Sequence, residues 1–227
     1  MVRPTIHITE ADCVVRRTAN GPGRHPTVAP RWPARQLHVA RIVGTAVSGP
    51  VEFQTGVRET GLVCLKGRAF VLAADELYEL TPFDALYVPA GTDVRVDADG
   101  MGCDLVEVGA PFEGGPPVEQ VCYAELPGSP GGSATLIGGT AVGRIAAGVS
   151  FGGPCPTWDA RWERFEKAYL MLSGPGEGWP LHLMCRGVEN PEALTVVREG
   201  DCVLLPAGCC ARMGSPAGYV WLMAKSV

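Results

Sequence analysis

The chain has 227 residues, 46% of them hydrophobic and 19% charged, with a formal net charge of -5. That much apolar material excludes general disorder, and the length suits two small domains of roughly 100 residues each or one large β domain. The negative balance and the lack of any Lys/Arg cluster exclude a basic groove, so nucleic acid is not an expected partner. No apolar stretch has the length of a signal peptide or a bilayer span, which predicts a cytoplasmic protein with no membrane partner. Nine cysteines are scattered without a C-x-x-C pair, the usage of reduced core thiols rather than of a disulfide framework.

Residues 1–35 carry Pro4, Pro22, Pro26, Pro30 and Pro33, show no sustained periodicity, and predict an N-terminal arm packed on the body. From Gln36 the pattern alternates. Segments 61–65, 68–72, 76–80, 84–88 and 93–96 are predicted as short strands, parted by turns at Lys66-Gly67, Ala73-Ala74-Asp75, Thr81-Pro82 and Ala90-Gly91. Loop-like composition at 109–117 and 127–133 places a boundary, giving an N-terminal unit over 36–120 and a C-terminal unit over 121–227. Strands are predicted again at 144–150, 166–172, 181–185, 193–197, 201–205 and 219–223. Strands this short and this evenly punctuated predict an all-β sandwich or jelly-roll barrel.

The two halves share a phrase. Asp84-Ala-Leu-Tyr-Val-Pro-Ala-Gly91 and Asp201-Cys-Val-Leu-Leu-Pro-Ala-Gly208 each have an acidic start, an apolar run and a Pro-Ala-Gly turn. A repeat of this kind implies paired domains rather than a solenoid. Gly200, Pro206 and Gly208 have the spacing of the second cupin motif, and Pro89-Ala-Gly91 keeps its end in the first copy, so the chain resembles a bicupin of two jelly-roll barrels. Among bicupins it is most similar to the uronate-type isomerases, 5-deoxy-glucuronate isomerase and 5-dehydro-4-deoxyuronate isomerase. The likeness runs through Leu77-Tyr-Glu-Leu80 in the first copy. In the second it runs through Glu166-Lys-Ala-Tyr169, His182-Leu-Met184, Val197-Arg-Glu-Gly-Asp201 and Pro216-Ala-Gly-Tyr219, as far as Met223-Ala224.

The resemblance implies a divalent metal in the C-terminal barrel, held by a His-x-His pair, a Glu on the next strand and a His after the Pro-x-Gly turn. Those positions are changed. The His-x-His pair falls on Thr157 and Asp159, or on Ala160 and Trp162 in the other register; the Glu falls on Lys167; the last His falls on Cys210 or Ala211. Lysine places a cation where an anionic ligand would stand, so the expectation is no metal ligand and no cofactor.

The same replacements supply the candidate site. Only three lysines occur against sixteen arginines, and Lys167 lies on a strand predicted to face the barrel interior. A desolvated lysine serves as base, Schiff-base nucleophile or carboxylate anchor, or else Lys167 is paired with Glu166 or Asp159 at the barrel mouth or turned outward by a one-residue register slip. His182 is either a proton shuttle or a hydrogen-bonded core histidine. Cys210 is a candidate thiolate beside the lysine, and Asp159 and Glu166 are candidate acid and base. Tyr169, Trp158 and Met184 are candidate substrate contacts or core residues. In the first copy Glu59 stands near a cupin-motif carboxylate while Glu52, Gln54 and Val94 replace the histidines, so that barrel reads as structural; His7, His25 and His38 read as surface or arm residues. The expected activity is metal-independent proton transfer or rearrangement on a small polar, carbonyl-bearing, sugar-acid-like substrate. The alternatives are a non-catalytic small-molecule-binding bicupin and a lyase, dehydratase or cyclase. Barrel edge strands predict a homodimer.

Overall fold

The computed structural model describes residues 9–28, 36–112, 114–126, 133–138, 144–151, 165–173, 181–185, 191–214 and 220–226. After a one-turn helix, Glu10–Cys13, the elements are strands β1 (Val14–Val15), β2 (Gly23–Pro26), β3 (His38–Gly44), β4 (Val51–Gln54), β5 (Arg58–Ala73), β6 (Glu76–Leu80), β7 (Ala85–Val88), β8 (Asp93–Pro111) and β9 (Glu119–Val121). A single 3-10 turn, Tyr123–Glu125, precedes β10 (Ser133–Ile137), β11 (Ile145–Phe151), β12 (Lys167–Ser173), β13 (Leu181–Cys185), β14 (Pro191–Val196), β15 (Cys202–Leu205), β16 (Cys210–Gly214) and β17 (Val220–Ser226). The fold is all-β and jelly-roll-like. Among the described residues no helix is long and apolar enough to cross a membrane.

The repeated phrase in the sequence corresponds to a repeated strand order. One sheet runs β2-β3-β8-β5-β7-β9 and another runs β10-β11-β17-β12-β15-β1, every neighbour antiparallel. The far half of β5 pairs with β6 and with the start of β8, just as β13 pairs with β14 and β16. In this correspondence β1 takes the place that β9 holds in the first copy. The N-terminal arm therefore supplies an edge strand to each half, β1 on β15 and β2 on β3, and so covers unpaired backbone that would invite association.

The repeated aspartates do one job twice. Asp84 donates its N–H to Thr81 O and Asp201 donates its N–H to Arg198 O, each at 2.9 Å. Each carboxylate accepts the backbone N–H of the residue three positions earlier, Thr81 or Arg198. The other carboxylate oxygen accepts an N–H just beyond the edge strand, from Tyr123 after β9 and from Arg17 after β1. Bonds from backbone N–H to a carboxylate are among the stronger neutral-to-charged hydrogen bonds, so the acidic start of each repeat clamps its edge strand. At the other end of the phrase Gly91 and Gly208 take φ of 78° and 91°, the left-handed region where only glycine is unstrained.

Alternation sorts the strands into three cores. Leu37, Val39, Val106 and Val108 of the first sheet pack against Ala168, Leu170, Leu204 and Leu222 of the second, so the two large sheets lie face to face. Ile42, Leu62, Val71, Leu86 and Leu105 fill the interior of the first copy. Tyr169, Met171, Met184, Val203, Trp221 and Met223 fill that of the second.

Two expectations need correction. Lys66-Gly67 is not a turn between strands but a pair of register shifts inside the continuous strand β5, between Cys64 and Lys66 and between Gly67 and Ala69. Gly67 has φ 71°, and a Cβ there would sit 1.9 Å from Gly102 O, so the bulge depends on the missing side chain. The 109–117 segment is not all loop either, since β8 continues through Pro111. Gly109 and Ala110 stay in the ladder because Thr60 and Glu59 of β5 are there to pair with them.

Candidate active site in the second copy

Lys167 opens β12, whose odd-numbered residues point into the interior core of the second copy while Ala168, Leu170 and Leu172 point to the layer between the sheets. Its side chain is inward and the residue is only 3% exposed, although it is one of three lysines in the chain. The Nζ donates to Cys209 O at 2.8 Å. Cys209 directly follows the Pro206-Ala-Gly208 turn, so the repeated turn also carries the lysine's acceptor. An amine in so apolar a setting must be held by hydrogen bonds, because a buried polar group without them costs several kcal/mol.

The register brings a second lysine to the same place. Lys167 lies directly opposite Lys225 in the β12–β17 pairing, flanked on its other side by Leu205 of β15. Trp221, Met223 and Lys225 alternate onto the inward face with Lys167, Tyr169 and Met171. Directly opposed side chains in an antiparallel pair have Cβ atoms about 5 Å apart, and like charges there repel. Burial pushes the Lys225 amine below its ordinary value, and its Nζ stands 5.3 Å from the Phe165 ring centroid. No motif pointed to Lys225. The available signal was lysine scarcity combined with the period-two pattern from Trp221 to Lys225.

Other predicted residues divide clearly. Tyr169, 2% exposed, and Met184, 0% exposed, belong to the interior core beside Lys167. Glu166 does not share the Lys167 face: its carboxylate accepts the N–H groups of Gln36 at 2.8 Å and Leu37 at 2.7 Å, tying the start of the first copy to β12. His182 is placed by its backbone in β13, opposite Thr195 and Met213, and Cys210 in β16, opposite Cys185. Asp159 and Trp158, like Thr157, Ala160 and Trp162, lie outside the described residues. Among those described, no group of three His, Cys, Asp or Glu side chains is placed to hold a metal ion.

One donor in this interior lacks a match. Trp221 is 3% exposed and its Nε1–H has no hydrogen-bond partner among the described residues. A buried indole N–H left unsatisfied costs about 1–3 kcal/mol, a penalty that an incoming acceptor removes. Burial makes two described thiols poor nucleophiles. Cys13, Cys64, Cys103, Cys202 and Cys209 are buried thiols outside any disulfide, and burial pushes those of Cys64 and Cys202 up to about 12.

The first copy holds a polar cluster that sequence reading missed. Glu107, on the inward side of β8, accepts two bonds from Arg24 of the arm, from Nε at 2.6 Å and from Nη2 at 2.8 Å. His38 is not a surface residue. It starts β3, and its Nε2 lies 3.2 Å from Glu107 Oε1. Burial alone would raise the Glu107 carboxyl, but the hydrogen bonds and charges of Arg24 and then His38 prevail and hold it near about 2. The arginine also covers the Phe53 ring, 4.4 Å from its centroid. Glu59, predicted near a motif carboxylate, is fully buried between the halves, where it accepts from Tyr87 Oη at 3.0 Å and from the Arg144 N–H.

Comparison with solved structures agrees with this architecture. An IolB-like protein from Salmonella typhimurium LT2 superposes with a TM-score of 0.74 at 19% identity, over 96% of this chain and 93% of that one. A point mutant of Bacillus subtilis oxalate decarboxylase OxdC gives 0.71 at 13% identity, over 99% of this chain and 79% of that one. A cupin 2 conserved barrel domain protein from Leptotrichia buccalis gives 0.57 at 12% identity, over 94% and 89% of the two chains. No protein-family model matches the chain, and no curated protein matches it by sequence. At these identities the shared property is the fold, and the fold is that of the cupins. Cupin barrels of this kind serve enzymes and binding proteins alike.

Proposed function

We propose that the chain is a bicupin enzyme of the uronate-isomerase type that has exchanged metal chemistry for lysine chemistry in its second barrel. Its substrate is a small polar molecule bearing a carbonyl group. The observation that supports this most directly is the inward, 3% exposed Lys167 at the head of an apolar interior. The resemblance assigns a metal-binding carboxylate to that position. A divalent ion does not fit beside an ammonium group with another lysine on the neighbouring strand, so no step is routed through one.

In this reading the Lys167 amine faces the substrate carbonyl oxygen. A base removes the proton from the adjacent carbon, the C–H electron pair moves into the enolate, and the lysine N–H stabilises the oxygen's negative charge. Where that adjacent carbon carries a hydroxyl, transfer of the O–H proton to the former carbonyl oxygen and return of the carried proton to the former carbonyl carbon re-form the C=O bond one carbon along and complete an isomerisation. His182 is the proton carrier we assign, with Cys210 or Asp159 assisting. Glu166 is better read as a structural tie, since its carboxylate is already held by two backbone N–H groups on the other face. The unmatched Trp221 N–H supports a ligand acceptor in the same interior.

The test follows solvent deuterium into the carbon next to the carbonyl by proton NMR, using 2-keto acids and keto sugar acids with protein pretreated with EDTA. Exchange by the untreated chain that survives EDTA and falls at least about 100-fold in Lys167→Ala supports the proposal. Undiminished exchange in a folded Lys167→Ala variant refutes it, as does exchange that requires added metal. Saturable binding without any exchange would instead favour the non-catalytic ligand-binding reading.

A further inference from the structure

A cavity between the two copies carries a charge that the fold leaves unmatched. It measures about 390 Å³, within the range of small-molecule sites. Leu65 and Leu172 line it, and both belong to the layer between the two large sheets, so it opens from that layer rather than from either barrel interior. Five charged side chains share the lining. Arg41 is buried and committed, donating from Nε to Asp104 and from Nη1 to Thr18 Oγ1, each at 3.1 Å. Lys66 of the first copy pairs with Glu199 of the second, an exposed ion pair of little strength. Arg17 is left over. Among the described residues its guanidinium has no ion pair and no hydrogen-bond partner.

The backbone fixes Arg17 in this lining. Its neighbours turn into the second copy, Arg16 onto Asp201 and Thr18 onto Gly200 O through both its N–H and its hydroxyl at 2.8 Å. The Arg17 N–H is taken by Asp201 Oδ1 at 3.1 Å. Held between these anchors, Arg17 takes φ 51°, a left-handed value that side chains disfavour. Among the described residues four other than glycine have such a value. Ala74 and Asp75 make the turn between β5 and β6, and the other two, Arg17 and Phe83, both line this cavity. Phe83, φ 73°, precedes Asp84 just as Gly200, φ 82°, precedes Asp201, so the first copy keeps a strained aromatic where the second has the unstrained residue. Backbone strain of this kind collects at ligand sites, and a merely solvated arginine does not require it.

We infer that the cavity between the copies binds a small carboxylate with an apolar body, the carboxylate being taken by the guanidinium fork of Arg17. The lining holds three cations against two carboxylates, so a single negative charge neutralises it, which favours a monocarboxylate over a phosphate. Asn20 adds neutral donors, and Leu65, Leu172 and the half-buried Phe83 supply an apolar wall for the body of the ligand. The inference is independent of the chemistry assigned to Lys167, which does not line this cavity.

Calorimetric titration of the full chain with phenylacetate, phenylacetamide and inorganic phosphate tests the site. Phenylacetate is expected to saturate the protein below about 10 mM and to bind at least about tenfold more tightly than either of the others. Arg17→Gln and Arg17→Gly should each weaken it at least about tenfold; the glycine variant accepts the left-handed backbone, so it removes the guanidinium without straining the arm. Arg95→Gln, at an exposed arginine paired with Asp97 and outside this lining, should leave the affinity unchanged. Equal binding of acid and amide overturns the inference, as does phosphate binding as tight as that of phenylacetate. Affinity kept in both Arg17 variants, or no saturation by about 10 mM, overturns it too. Phenylacetate binding that is lost in Lys167→Ala but kept in both Arg17 variants would place the anion in the second barrel instead.

Discussion

Replacing Glu107 by glutamine tests how the N-terminal arm is fastened to the body. The carboxylate is 2% exposed, accepts two bonds from Arg24, and lies within reach of His38. Its pKa falls from the ordinary 4.5 to about 2, because the arginine and histidine outweigh the burial that would raise it. Each pKa unit is worth about 1.4 kcal/mol, so ionised Glu107 contributes roughly 3 kcal/mol to folding. The folded-state value is the lower one. The contribution is therefore complete above pH 4.5 and is lost as pH falls toward 2. Urea unfolding followed by tryptophan fluorescence should show Glu107→Gln destabilised by about 3 kcal/mol at pH 7, with the gap less than half as large near pH 3. The double variant Arg24→Met with Glu107→Leu should recover much of the loss, because no charge is then left buried and unpaired. A deficit below about 1 kcal/mol at pH 7, or one that does not change with pH, would refute the reasoning.

Further outcomes follow from the same geometry. Gly67→Ala forces a side chain into a left-handed residue whose Cβ meets Gly102 O at 1.9 Å, and should cost at least about 2 kcal/mol in chemical denaturation; a loss within about 0.5 kcal/mol would mean that the bulge relaxes freely. Glu166→Ala removes the acceptor of the Gln36 and Leu37 N–H groups, so those amides should exchange with solvent faster and the protein should lose about 1–3 kcal/mol. Unchanged protection at Gln36 and Leu37 would show that another group holds the start of the first copy.

The doubled fold was legible because its markers are local. An aspartate that bonds the N–H three residues back, an apolar run, and a turn that ends on a left-handed glycine are written within eight residues, and the chain writes them at Asp84–Gly91 and again at Asp201–Gly208. Short apolar or alternating segments between turn signals likewise marked β6, β7, β13 and β15. The same logic put Lys167 on an inward face, because the side of a strand follows from counting residues. Where the chain bulges, counting fails: Gly67 reads as turn chemistry, and only the ladder to β8 shows that β5 runs through it.

Tertiary structure alone decided what lies opposite what. Lys225 is 58 positions from Lys167 in the sequence and one rung away across the sheet. Arg24 reaches Glu107 over a separation of 83 residues, and β1 joins a strand that begins with Cys202. Propensity and alternation are short-range properties, fixed by backbone sterics and by the side on which each Cβ emerges. Strand register and burial are set by which apolar faces meet and which charges must be matched once they leave water. The sequence by itself thus determined an all-β chain with a doubled motif and an inward lysine. The folded arrangement determined that this lysine has a second beside it.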